Sequence, residues 1–193
     1  MKWTRAVHHL GELAEKCGEL PASFFRFQVV ELWVFGGLLD VPRDVETIEV
    51  ALVADLPVEE VPWHGEPVGA EHWANSTRLS RNPFTPFWRS AGAPVWNHRI
   101  ERPALVWSAA DGIAEETLVA LSDGTGELVR QPAPTPDELR KRVEEELDVS
   151  LAALRAAQQT YTDHRWAPGK LTPYSDALWR ISGGYLDLLD VVN

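Results

Sequence analysis

Cysteine, long apolar runs and the usual export signals are scarce or missing in this sequence. A single cysteine, Cys17, in 193 residues excludes an intramolecular disulfide, and a reducing compartment is the ordinary setting for such a chain. No segment approaches the roughly 20 apolar residues of a membrane span. Charges between Glu12 and Lys16 break up the amino-terminal apolar pattern, so no signal peptide is predicted. We therefore expect a soluble cytoplasmic protein with no membrane partner.

Several catalytic signatures are also missing. The sequence has no Gly-x-Ser-x-Gly elbow, no Walker loop and no dinucleotide-binding glycine fingerprint. His8 and His9 are adjacent on a predicted helix and therefore point apart, whereas zinc needs three or four convergent ligands. No metal site is predicted, and the cofactor stays unknown.

Positive charge is in deficit, because the formal net charge is −11. Such a charge favours solubility and repels nucleic acid at long range, so extended nucleic acid is not expected as a partner. Tryptophans lie beside arginines at 88–89 and 96–99, a combination that can stack on a base and hold a phosphate. A nucleotide therefore stays open as a partner, as does a protein.

Hydrophobic periodicity predicts an α/β (α+β) chain with a mixed sheet flanked by helices. The predicted strand 24–35 is apolar on two faces, which is typical of an interior strand. In the predicted strand 47–53, Ile48, Val50 and Leu52 alternate with the remaining residues. The remaining predictions are helices at 3–18, 70–80 and 113–121, strands at 104–108 and 127–130, and an irregular segment at 82–102.

The carboxy-terminal third predicts two helices. Thr135-Pro-Asp-Glu138 is a capping box with proline at the first helical position. A last helix begins at Thr172-Pro173 and is expected to be interrupted at Gly183-Gly184. We expect residues 135–193 to form a helical hairpin packed on a core of residues 1–131, the two making a single compact unit.

The candidate site begins with Glu31-Leu-Trp-Val-Phe-Gly-Gly37, a strand entering a double-glycine turn. A second strand, Thr47-Ile-Glu-Val-Ala-Leu-Val53, follows after a short loop. This layout, preceded by a helix, resembles the nucleotidyltransferase superfamily over about the first 55 residues. In that superfamily the turn holds a triphosphate and two acidic residues on the next strand hold metal.

The resemblance implies roles for particular residues. Gly36 and Gly37 match the turn, where backbone N–H groups can approach phosphate, while Thr47 and Glu49 match the metal positions. Thr47 is a neutral and weak ligand, whereas phosphoryl transfer on Mg²⁺ needs two or three carboxylates. A shifted register would use Asp44-Val-Glu46 instead. Mg²⁺ is implied only if the site is active.

Two further observations bear on function. Arg78 lies on a predicted helical face with Glu71 and Asn75, and such a face could hold a phosphate. The whole chain also resembles an uncharacterised family of soluble bacterial proteins that open Met-Lys-Trp-Thr-Arg-Ala and carry Trp96-Asn-His-Arg99. That resemblance implies a shared fold and supplies no chemistry.

Three functions are open at this point. The first is a catalytically degenerate nucleotidyltransferase-like protein with a binding or regulatory, antitoxin-like role. The second is an active metal-dependent nucleotidyltransferase that uses Glu49 with Asp44, Glu46 or Asp111, with Glu101 the other acid near the third strand. The third is a plain protein-interaction module.

Overall fold

A five-stranded mixed sheet is the centre of the fold, and the computed structural model describes residues 1–192. The strands are β1 Val29–Phe35, β2 Ile48–Ala54, β3 Phe84–Ser90, β4 Ala104–Ser108 and β5 Gly112–Ile113. They lie in the order β3-β2-β1-β4-β5, and β2 and β3 are parallel while the other neighbours are antiparallel. The expected mixed sheet is confirmed.

The helices flank this sheet on both faces. They are α1 Trp3–Glu19, α2 Ala70–Ser76, α3 Glu115–Ser122, α4 Pro136–His164 and α5 Thr172–Val192. Thr135 and Glu138 form both halves of the predicted capping box at the start of α4. Among residues 1–192, none of the helices combines the length and apolar composition needed to cross a membrane.

Alternating side chains of the central strands divide the core into two parts. Leu32 and Val34 of β1 face a core that includes Leu10 of α1. Trp33 and Phe35 face the opposite core, where Val143 of α4 and Leu188 of α5 join them. The C-terminal helical pair is therefore present and contacts the sheet, as expected, while the division at residue 131 stays a prediction.

Two strand predictions are wrong. Residues 84–90 lie in the segment predicted to be irregular, yet they form β3, the edge strand beside β2. Pro86 argues against a strand in the sequence, because proline cannot donate a hydrogen bond to a β-ladder. An edge strand nevertheless tolerates it. Residues 127–130 were expected to be a strand, but Gly126–Val129 is a short 3₁₀ helix.

The remaining differences concern where elements begin and end. The first strand starts at Val29 rather than 24, because residues 22–24 form a 3₁₀ turn. The helix predicted at 70–80 ends at Ser76, and Arg78 has a positive φ of 60°. The expected interruption of the last helix is wrong, because α5 continues through Gly183 and Gly184.

Candidate functional site at the junction of sheet and C-terminal helices

The double-glycine turn follows β1 directly, and Gly36 has a φ of 68°, in the left-handed region that favours glycine. Glu49 of β2 lies opposite Phe35 in the antiparallel register. Its carboxylate consequently covers Gly36, where an added Cβ would collide with it. The turn and Glu49 are thus brought together, but the carboxylate occupies the space beside the first glycine.

Glu49 is also engaged by a cation of the chain itself. Arg99 Nη2 donates to Glu49 Oε1 at 3.2 Å, and the Glu49 side chain is only 23% exposed. The other residues proposed from sequence, Asp44, Glu46 and Thr47, are exposed. Within residues 1–192 no three histidine, cysteine or acidic side chains form a group that could hold a metal ion.

The alternative third carboxylates lie elsewhere. Asp111 accepts a hydrogen bond from Ser108, which pairs with Glu31 at the opposite end of β1 from Phe35. Glu31 and Phe35 are four residue steps apart along the strand, roughly 13 Å at 3.3 Å per residue. Glu101 is exposed beyond the start of β4. The structure therefore does not bring Asp111 to Glu49.

Arg78 lies on the other side of the sheet. Its charge acts on Glu12 of α1, whose pKa is lowered first by a hydrogen bond to His9 and further by nearby positive charges, including Arg78. α1 packs on the face of the sheet that carries Leu32 and Val34. Glu49 pairs with Phe35 and therefore lies on the opposite face, which packs against the C-terminal helices. The structure does not join Arg78 to the glycine turn.

Three consecutive polar side chains, Asn97, His98 and Arg99, connect the sheet to both C-terminal helices. We call them the Asn97–Arg99 hub. Asn97 Nδ2 donates to Glu146 Oε2 of α4 at 2.9 Å, and His98 Nε2 lies 2.9 Å from Asp187 Oδ2 of α5. Arg99 reaches β2 through Glu49 as described above. One loop thereby holds three elements distant in sequence.

Hydrogen bonds within and around the hub keep it in place. Asn97 Oδ1 accepts from the backbone N–H groups of Arg99 and Ile100, each at 2.9 Å. Asp187 accepts a second bond from Trp63 Nε1 at 2.7 Å. Burial opposes ionisation of Asp187, but the bonds from Trp63 and His98 outweigh it and hold its pKa below the ordinary value.

Beside the hub lies a buried group of three charges, Arg89 of β3 with Arg142 and Glu146 of α4. We call it the Arg–Glu–Arg triad. Both arginines bind Glu146 Oε1, Arg142 at 2.9 Å, and both donate from Nη2 to Pro94 O at 3.3 Å. The side chains of Arg89, Arg142 and Glu146 are 3%, 10% and 6% exposed. Burial lowers the pKa of Arg142, partly offset by Glu146.

The model of a family described as a domain of unknown function, DUF7711, matches residues 1–193. The chain belongs to the DUF7711 family. Comparison of this DUF7711 chain with curated proteins and with solved structures gives no match. The expected membership of an uncharacterised family is therefore confirmed at the level of the family, and the nucleotidyltransferase resemblance stays a prediction.

Sequence reasoning missed the triad of the DUF7711 protein. Arg142 and Glu146 are four residues apart on a helix, a spacing that ordinarily indicates a solvent-exposed pair. In the sequence Arg89 stands out as a neighbour of Trp88 and as one of five arginines between positions 78 and 102, neither of which indicates burial. A usable signal was present, because Val143 and Leu147 are apolar residues four positions apart, the spacing of one buried helix face, and each directly follows one of the two charges. Only the approach of β3 to α4 shows that the charges meet.

We expect the stability of the DUF7711 protein to fall in two steps as the pH is lowered. Partial desolvation lowers the pKa of His64, although the residue as a whole is exposed, so the unfolded chain binds this proton first and stability declines below about pH 6.5. The lowered pKa of Asp187 stabilises the folded state above about pH 3.9, a contribution lost in stronger acid.

The measurement is urea unfolding from neutral pH into acid. His64→Asn, which tolerates the positive φ of 59°, should flatten the first step and leave the second. His8→Gln is the matched control, because the His8 side chain is 70% exposed. An unchanged first step in His64→Asn would contradict the assignment.

Proposed function

We propose that this protein is a non-catalytic binding protein with a regulatory, antitoxin-like role, and that its nucleotidyltransferase-like strand–turn–strand unit has become structural. The observation that carries the proposal is the position of the Glu49 carboxylate, which covers Gly36 and binds Arg99. Glu49, the acid that the resemblance assigns to metal, is instead paired with an arginine of the same chain. The alternative of a plain interaction module stays a prediction.

Two features support a structural role for the turn. An acid that holds Mg²⁺ needs a second carboxylate close to it. The charged group that contacts the Glu49 carboxylate is instead the guanidinium of Arg99. A phosphate at the turn would have to approach backbone N–H groups beside Gly36, next to the negative charge of Glu49. The negative charges of a phosphate and of the adjacent Glu49 carboxylate would repel each other, which disfavours a triphosphate at the turn.

A binding role is supported by the location of the polar and charged residues, of which those of the Arg–Glu–Arg triad are buried. The Asn97–Arg99 hub and the Arg–Glu–Arg triad both lie where the sheet meets α4 and α5. Buried charges are costly unless they are paired, so their concentration at one junction needs a reason. A junction that responds to a bound ligand would change how the helical pair is presented to a partner, as a regulatory protein requires.

The purified protein is expected to transfer no label from α-labelled ATP, GTP or CTP with Mg²⁺ to itself or to RNA. Calorimetric titration with the same nucleotides is expected to give no binding heat at the turn, because Glu49 and Arg99 are already paired. Glu49→Gln should match wild type in both assays.

Glu116→Gln is the control for these assays, since Glu116 is exposed on α3 and is not one of the candidate acids. Label transfer by wild type that Glu49→Gln abolishes, with Glu116→Gln still active, would overturn the proposal and establish the active nucleotidyltransferase instead. Transfer that neither variant affects would show an activity outside the strand–turn–strand unit and would also overturn it.

A further inference from the structure

The Arg–Glu–Arg triad carries an excess of positive charge. Two guanidinium groups, which stay protonated in proteins, share the single buried carboxylate of Glu146. Glu146 Oε2 is already committed to Asn97. The Nε atoms of Arg89 and Arg142 are buried and have no hydrogen-bond partner within residues 1–192. Buried cations with unused donors are expensive, and an anion would relieve that cost.

A cavity of about 260 Å³ adjoins these charges. Arg89, Arg142 and Glu146 form one part of its wall, while Val61, Trp63 and Val149 form an apolar part. The cavity is slightly smaller than the roughly 300–1,000 Å³ typical of sites for drug-sized ligands. It therefore suits a small molecule that combines one charged group with a short apolar body.

We propose that this cavity binds a small apolar monocarboxylate, whose carboxylate pairs with Arg89 and Arg142 and whose apolar part contacts Trp63 and Val149. Guanidinium groups match carboxylates in shape and form strong charge-assisted hydrogen bonds with them. The proposal rests on the binding role described above and names the class of ligand. Nothing covalent happens to the ligand in this site.

The charges around the cavity favour one negative charge over two. Two buried arginines face the one buried carboxylate of Glu146, and the half-exposed, solvent-screened Glu145 offsets the remaining positive charge only in part. A monocarboxylate in the cavity would complete the compensation. Glu145 also lines the cavity, with Oε2 3.7 Å from Arg142 Nη1 and its side chain 52% exposed. Its negative charge in the cavity wall repels a phosphate dianion more than a carboxylate. The apolar wall adds affinity for an aryl or alkyl group.

Benzoate is the probe that tests the proposal, with benzamide as its neutral counterpart of nearly the same shape. In calorimetry with the full chain, benzoate is expected to bind saturably at one site, and benzamide at least tenfold more weakly. Inorganic phosphate should not displace benzoate at equal concentration. Absence of saturable benzoate binding, equal binding of benzamide, or displacement by phosphate would each overturn the proposal.

Substitutions that leave the triad intact locate the site. Val149→Trp fills the cavity from α4 and is expected to abolish benzoate binding without loss of the folded state. Ala152→Trp places the same side chain on an exposed position of α4 outside the cavity and should bind like wild type. Glu145→Gln should strengthen binding severalfold. Wild-type affinity in Val149→Trp would overturn the assignment of the cavity.

The outcomes separate this inference from the proposed function. If benzoate fails to bind and no label is transferred from nucleotides, the ligand class is wrong and the non-catalytic role stands. If label transfer depends on Glu49, the proposed function fails whether or not benzoate binds, because the cavity is lined by residues other than Glu49.

Discussion

Replacing Glu146 with alanine is expected to lower the free energy of unfolding by about 3–5 kcal/mol, the cost of breaking a buried ion pair from one side. The side chain is 6% exposed and accepts hydrogen bonds from Arg89, Arg142 and Asn97. Its removal leaves two buried guanidinium groups with no carboxylate between them.

Glu145→Ala is the matched control for this prediction, because it removes the neighbouring carboxylate from the same helix. Its side chain is 52% exposed and lies 3.7 Å from Arg142, so a change within about 1 kcal/mol is expected. Urea unfolding at neutral pH measures both variants. Equal effects of the two substitutions would show that Glu146 is not the residue that compensates the triad.

Adjacent glycines of α5 are expected to respond in opposite directions to alanine. At Gly184 an added Cβ would collide with the backbone carbonyl of Trp63, and backbone cannot swing aside as a flexible side chain can. Gly184→Ala should therefore destabilise the protein by about 1–3 kcal/mol, as overpacking does. Gly183 has open space around it, so Gly183→Ala should stabilise it by about 0.5–1 kcal/mol through helix propensity.

Thermal and urea unfolding of the two single variants check this prediction, with helix content followed by circular dichroism. Both substitutions gain the same intrinsic propensity, so the difference between them reports the contact of α5 with the segment at Trp63. Stabilisation by Gly184→Ala would contradict the close approach of this helix to the core. Destabilisation by Gly183→Ala would show a neighbour at a position that is open in this structure.

Local patterns were sufficient for much of the fold. The amphipathic spacing of α1, the alternation in β2 and the capping box at Thr135 are each written within a few consecutive residues. Those signals arise from backbone geometry and short-range hydrogen bonds, which do not depend on the rest of the chain. Local patterns did not predict β3, because Pro86 breaks its pattern and because its partner strand β2 lies more than 30 residues earlier in the chain.

The candidate site was predicted in part. Spacing placed Glu49 near the glycine turn, and the antiparallel register of Phe35 and Glu49 brings them together. Spacing alone gave no sign that Arg99, fifty residues later, would bind that carboxylate. The tetrapeptide at 96–99 stood out for its aromatic and cationic residues, but its partners on β2, α4 and α5 are visible only after folding.

By itself the sequence determined most of the elements, the two-sided apolar character of the first strand and the pair of helices at the carboxy terminus. Each is a short-range property of periodicity or capping. The tertiary structure alone decided the chemistry of the junction. The energetic role of the charges on Arg89, Arg142, Glu146 and Glu49 depends on their neighbours and their burial, which only the folded chain defines. Glu49, the acid that the family resemblance assigns to a metal, is paired with arginine.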